Sequence, residues 1–273
     1  MRHNYVGDIG DYVKYALLRS LAGPDGDHRF RLGVHWYLTV HDEGNGDGLH
    51  IEYLDKPASW PELDPVLFEA LHGVRLQIAD PTQRRLSLVE QLDVFRSDTQ
   101  FFSSVDPVPG RGRRPGAEVP PHEVPKGTRR IELRRQWAAR GEAALNGADL
   151  VFFDPDNGIE VPSCTRTHLK ADKYVFLDEV AAFVGRGVSA VIYQHQPRMS
   201  WQVLLSSLRE RLAKELPRHE EPRFITSAAF GSRSFILIPA DHSAAQLIDR
   251  AIGEVEARAK SVPSPKAFAR LSL

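Results

Sequence analysis

Apolar residues along the chain fall into short runs separated by longer amphipathic stretches, the pattern of strands interleaved with helices. Val13, Ala16, Leu17 and Leu21 recur at helical spacing. With Asp11 as N-cap and Gly23-Pro24 as stop, they predict a helix over 11–21. Residues 31–39 (RLGVHWYLT) are rich in β-formers and predict a strand. A short helix over 64–71, a strand over 74–79, a helix over 86–95 and an edge strand at Phe101-Phe102 are expected next. Beyond residue 130 the alternation becomes regular. It predicts a helix over 131–145, a strand over 150–153, a helix within 173–185 and a strand over 188–194. A helix over 199–216, strands near 223–230 and 234–239 and a helix over 243–258 complete it. Buried strands separated by helices imply an α/β protein with a mostly parallel sheet and helices on both faces. The last two strands, split by Gly231-Ser232-Arg233, predict an antiparallel hairpin at one edge.

One stretch breaks the pattern. Residues 106–130 hold six Pro, four Gly and six Lys or Arg against three acids, with no apolar periodicity. This reads as a flexible loop inserted into a single domain spanning 1–273, because the motifs on either side belong to one sheet. A chain of 273 residues suits one such domain. With 35 Lys+Arg against 36 Asp+Glu, the net charge of −1 excludes a polybasic protein that grips nucleic acid by bulk charge. The single cysteine, Cys164, allows neither an internal disulfide nor a Cys-based zinc site, as expected in a reducing cytoplasm. No apolar run is long enough to span a bilayer, and the first residues lack a signal-peptide core, so no membrane partner is expected.

Ligands of open α/β sheets bind beyond the C-terminal ends of the strands. Three expected strand ends carry chemistry: His35-Trp36-Tyr37, Asp154-Pro155-Asp156-Asn157-Gly158 and Tyr193-Gln194-His195. An Asp-Pro at a strand end places a carboxylate at the sheet edge, and the proline withholds a backbone donor. A carboxylate beside a free carbonyl can hold an exocyclic amino group; the same residues also form turns. Near the start, Asn4, Tyr5 and Tyr12 precede or open the first helix, whose early turns include Lys14 and Tyr15. A cation there opposes the helix dipole, so Lys14 is expected to face an anionic ligand or the neighbouring Asp8 and Asp11. His35 read alone is as well explained by core packing.

These segments resemble the ribosomal-RNA large-subunit methyltransferase J family, which methylates an adenine N6 using S-adenosylmethionine. Asp11 and Lys14 match the family's Asp-x-x-Lys-His segment entering the first helix. His35 matches its Thr-His-Ala-Gly histidine, and Asp154-Pro155-Asp156-Asn157 stands where the family has catalytic Asp-Pro-Pro-Tyr. The hairpin and helix over 231–255 are similar in layout. The resemblance implies a Rossmann-like fold of the class I methyltransferase type, S-adenosylmethionine as cofactor and a nucleic acid, RNA or DNA, as substrate. It assigns Asp154, Lys14, Asp156 and Asn157 to catalysis and His35, Tyr15 and Pro155 to the cofactor. Asn4, Tyr5, Tyr12, Tyr193 and His195 would serve the substrate. Trp36-Tyr37-Leu38-Thr39 replaces the family's glycine loop, with Gly44-Asn45-Gly46-Asp47-Gly48 as a displaced substitute.

Two alternatives stay open from the residues. Asp154, Asp156 and Glu179, with Glu160 or His195, would hold a divalent metal such as Mg in a nuclease or phosphohydrolase. A non-catalytic nucleotide-binding protein on the same core is the other.

Overall fold

The first helix, α1 (Ile9–Ala22), is capped by Asp8, whose side chain accepts from the Gly10 amide at 2.8 Å. The expected cap, Asp11, lies inside the helix, and this shift frees its carboxylate to meet other side chains. The computed structural model describes residues 3–27, 29–39, 48–57, 59–78, 80, 83–104, 127–196, 198–216, 218–227, 233–262 and 269–270. Most of the expected loop at 106–130 lies outside these residues. Its last four already belong to helix α4 (Gly127–Ala144).

The strand β1 is Leu32–His35, shorter than expected, because its neighbours run out. It pairs in parallel with β2 (Gln100–Phe102) on one side and β3 (Leu150–Phe153) on the other, and His35 is its last paired residue on both. Beyond β3 comes Asp154-Pro155, where the proline removes the next donor. The sheet order is β2, β1, β3, β6 (Ser189–His195), β8 (Arg233–Ile238), β7 (Arg223–Ser227) and β9 (Ala269–Arg270). The pairs β2–β1, β1–β3 and β3–β6 are parallel. Strand β8 runs antiparallel to both β6 and β7, so β7 points the same way as β6. The mostly parallel sheet and its C-terminal hairpin are therefore both present. The hairpin is not itself the edge, since β9 pairs antiparallel outside β7. A separate two-stranded sheet joins β4 (Gly158–Ile159) and β5 (Tyr174–Val175).

Two other expectations change. The segment expected as a strand at 74–79 continues helix α2 (Pro65–Gln77), capped by Asp64. Leu67, Leu71 and Val74 are buried along it at helical spacing, and that packing overrides the β preference of Val74. The helix expected over 86–95 stops earlier, as α3 (Leu86–Gln91).

Alternation along the strands splits the core into two layers. Leu150, Phe152, Val191, Phe235 and Leu237 face a layer containing α1, α2 and α7 (His242–Ala259). Val151, Phe153, Ile192 and Ile236 face the layer of α4, α5 (Leu177–Val184) and α6 (Trp201–Glu215). Helices thus cover both faces, as expected. Each fully buried strand Phe contributes about 1.5–3 kcal/mol of transfer free energy to this arrangement. Among the described residues, no helix is long and apolar enough to cross a membrane.

Candidate functional site

The same alternation decides what the strand ends present. Phe153 points to the α5 layer, so the next residue, Asp154, turns to the α1 side. There its Oδ2 accepts from Lys14 Nζ at 2.8 Å, although the two residues are 140 apart in sequence. Lys14 also donates to Asp11 Oδ1 at 2.9 Å, one helical turn away. Asp11 Oδ2 accepts from the Tyr15 hydroxyl at 2.9 Å. The ammonium lies 4.8 Å from the Tyr193 ring centroid, a cation–π contact. Lys14, Asp11 and Asp154 are each at most 3% exposed.

One ammonium thus bridges two buried carboxylates. Burial pushes the Asp11 carboxyl up to about 6, Lys14 pulling against the rise and Asp154 adding to it. Burial alone would lower Lys14, yet Asp11 and Asp154 hold it above its ordinary value, so it is charged at neutral pH.

This cluster forms one wall of a cavity of about 300 Å³ beyond the ends of β3 and β6. Pro155, Asp156 and Asn157 border it, as do Tyr193 and His195, which share one side of β6. Tyr5 closes another side. Asp156 lies 3.9 Å from Lys173 Nζ and accepts from Thr39 Oγ1 at 3.5 Å. Burial, with help from Arg233, pushes the His195 imidazole down to about 3, so it is neutral at physiological pH. Burial pushes the Tyr193 phenol up to about 12.

Arg233, Lys173 and His50 carried no signal in the sequence, whereas Asp8 was expected only as a partner of Lys14 and Gly48 only as part of a displaced glycine loop. Asp8 borders the cavity as well as capping α1, and its carboxyl is raised by burial. Arg233 opens β8 directly opposite His195 in the antiparallel register, a placement visible only once β8 pairs with β6. Lys173, His50 and Gly48 also line the wall. Gly48 has φ of +79°, a conformation that favours glycine. Behind it, the fully buried Arg84 donates Nη1 to the carbonyls of Gly48 at 3.0 Å and Val6 at 3.1 Å. Its Nη2 is buried without a hydrogen-bond partner.

Other expected site residues lie elsewhere. His35 sits on the opposite pleat, 4.4 Å from Tyr37, 4.8 Å from Trp137 and 4.9 Å from Phe102 by ring centroids. It is packed in the core and does not line the cavity, and burial pushes its imidazole well below the usual range. Tyr15 does not line the cavity; it meets the cluster through Asp11 and through its ring, 5.8 Å from Lys14 Nζ. Tyr12 stacks on Tyr53 at 5.2 Å and donates to the Trp60 carbonyl, so it holds the segment after residue 50 against α1. Asn4 lies in the 3₁₀ turn His3–Tyr5, and its side chain is outside the described residues.

The metal set is not assembled. Glu179 lies in the other layer, bound by Arg134 Nε and Nη2 at 2.8 Å each and by the Tyr37 hydroxyl at 2.8 Å. Glu160 accepts from Arg211 at 2.8 Å, and burial pushes its carboxyl up to about 7. Among the described residues no group of three His, Cys, Asp or Glu side chains is placed to hold a metal ion. Comparison of the chain with protein-family models, with curated proteins and with solved structures finds no match.

Proposed function

We propose that the cavity is the active site of an S-adenosylmethionine-dependent methyltransferase acting on an amino group of a nucleic-acid base. One observation carries this reading. Lys14 and Asp154 belong to the two segments matching the methyltransferase J family, and they meet in a 2.8 Å buried ion pair. The reversed β8 between β6 and β7 and the helices on both faces support the Rossmann-like expectation.

The residues present fit the cofactor's charged end. The cofactor carries a sulfonium, an ammonium and a carboxylate. Asp8 and Asp11, which line the cavity, supply negative charge to the first two. The wall at Gly10 is bare: a Cβ there would lie 3.3 Å from Asp8 Oδ1 and 3.6 Å from the Tyr193 hydroxyl. The stretch after β1 is filled, since Trp36, Tyr37 and Leu38 are at most 3% exposed, so Gly48 takes over from the family's glycine loop. Bound there, the cofactor supplies an electrophilic methyl group.

The chain's own residues do the rest. Asp154, held through Oδ2 by Lys14, accepts from the target amino group and aims its lone pair away from the base. Pro155 withholds a donor from the same spot. Tyr5 borders the space for the base, while Lys173 and Arg233 supply positive charge for its phosphates. Neutral His195 accepts or donates without adding charge.

Calorimetric titration of S-adenosylmethionine and transfer of a labelled methyl group to unmodified RNA and DNA test the reading. We expect submillimolar cofactor binding, and transfer to an adenine amino group that Asp154→Ala lowers by about a hundredfold or more. Absence of cofactor binding at millimolar concentration sinks it.

A further inference from the structure

Gln194 lies between the cavity residues Tyr193 and His195 but on the other pleat of β6, only 5% exposed. Two of its three side-chain bonds hold the chain leaving β3. Oε1 accepts from the Ile159 amide at 2.9 Å, and Nε2 donates to the carbonyls of Asn157 at 3.1 Å and His195 at 2.9 Å. Two backbone bonds complete the grip: His195 N to Asn157 O at 3.1 Å, and Asn157 N to Lys173 O at 2.8 Å. Between the anchored residues sits Gly158, with φ of +113°. A Cβ there would lie 2.1 Å from Gln194 Oε1, so any side chain at 158 would expel the Gln194 amide.

We propose that Gln194, with Gly158, is the positioning residue of the site: it sets where Asp154–Asn157 leaves the sheet, and so where the Asp154 carboxylate meets Lys14. The proposal deepens the reading of Asp154 as the acceptor of the target amino group and rests on it. Asp154 has its own upper anchor, its amide donating to the His35 carbonyl at 3.1 Å. Residues 155–157 are held at their far end by Gln194 through the Asn157 carbonyl, with Asp156 also meeting Thr39 and Lys173. Bonds formed in a buried setting hold the loop without the motion that a solvated turn would allow. A misplacement of about 1 Å at a reacting group costs up to about a hundredfold in rate.

The test uses the full chain as wild type, Gln194→Leu, Gln194→Glu and Gly158→Ala. Gln194→Leu keeps the bulk and removes every bond. Gln194→Glu keeps the acceptor for Ile159 and loses the donor. Three readouts apply: amide hydrogen exchange at Asn157 and Ile159, the acylation rate of Lys14 by mass spectrometry, and methyl-transfer kinetics. We expect Gln194→Leu and Gly158→Ala to raise exchange and Lys14 acylation about tenfold or more, and to lower kcat about 10- to 100-fold while KM changes little. Gln194→Glu should fall between them and wild type. In the double variant Gly158→Ala with Gln194→Ala, the effects should be less than additive, since the clash partner is gone. Unchanged Lys14 acylation in Gln194→Leu, with exchange raised, overturns the proposal, because the loop would then move without Asp154. A wild-type protein without methyl transfer sinks the functional reading alone, and exchange with Lys14 acylation still decides the clamp.

Discussion

Two buried charge clusters lie on opposite faces of one sheet, and they are built differently. On the α4–α5 side, Arg134 holds Glu179 through two bonds, and Arg166 lies 3.9 Å from the same carboxylate. Their remaining positions are filled by the Tyr37 hydroxyl, the Phe176 amide and the Tyr174 carbonyl. Rings close it off, with the guanidinium 4.6 Å from Trp137 and 5.2 Å from Tyr37. On the α1 side, Lys14 bridges two carboxylates, and the cluster borders a cavity. Buried charges whose hydrogen-bonding positions are filled and closed off by rings are out of a ligand's reach. Buried charges that border a cavity are within reach of one, and that difference makes the α1 side the candidate site.

Breaking the enclosed cluster should have the largest effect. Arg134→Ala leaves Glu179 buried without the guanidinium that holds it and should cost about 3–5 kcal/mol in urea unfolding. Ligand binding by the fraction still folded should be nearly unchanged. A loss of binding with stability intact would reverse the roles of the two clusters.

The buried carboxylates on the other side sharpen the comparison through pH. The Asp11 carboxyl titrates near 6 in the folded chain against an ordinary 3.8. The folded state therefore holds a proton that the unfolded chain has already released. The stability from this group is fully present below pH about 4 and is lost as pH rises to about 6. Asp11→Asn should flatten that part of the profile, measured as unfolding midpoints between pH 4 and 7. The slope nearer pH 7 should remain, because the Glu160 carboxyl, raised to about 7, is untouched. An unaltered profile would mean that Lys14 fully neutralises both acids.

The smallest effect should come from His35. Its Nδ1 is buried without a partner among aromatic rings. His35→Phe should shift stability by no more than about 1 kcal/mol and leave cofactor affinity unchanged. A drop in affinity beyond about threefold would return His35 to the ligand, as the family resemblance first implied.

Much of the frame was legible along the chain. The strand at 150–153 and the helices expected over 131–145, 199–216 and 243–258, found at Gly127–Ala144, Trp201–Glu215 and His242–Ala259, follow from runs of four apolar residues or from apolar residues at helical spacing, because burial on one or both faces writes its period into the sequence. Val74 misled because its β preference is weaker than the helical packing of Leu67 and Leu71. Asp11 misled because Asp8, three residues earlier, caps equally well.

The sequence by itself determined the alternation of elements, the Asp-Pro strand end at 154–155 and the Asp11–Lys14 spacing that puts an acid and a base on one helix face. Each depends on neighbours a few residues apart. Only the tertiary structure decided that Lys14 meets Asp154, that Arg233 stands opposite His195, that Gln194 holds the loop after β3 and that His35 turns away from the cavity. Those outcomes depend on strand order, register and the face each helix covers. They are set by cooperative burial over the whole sheet, where a one-residue change of register would turn every side chain to the other side.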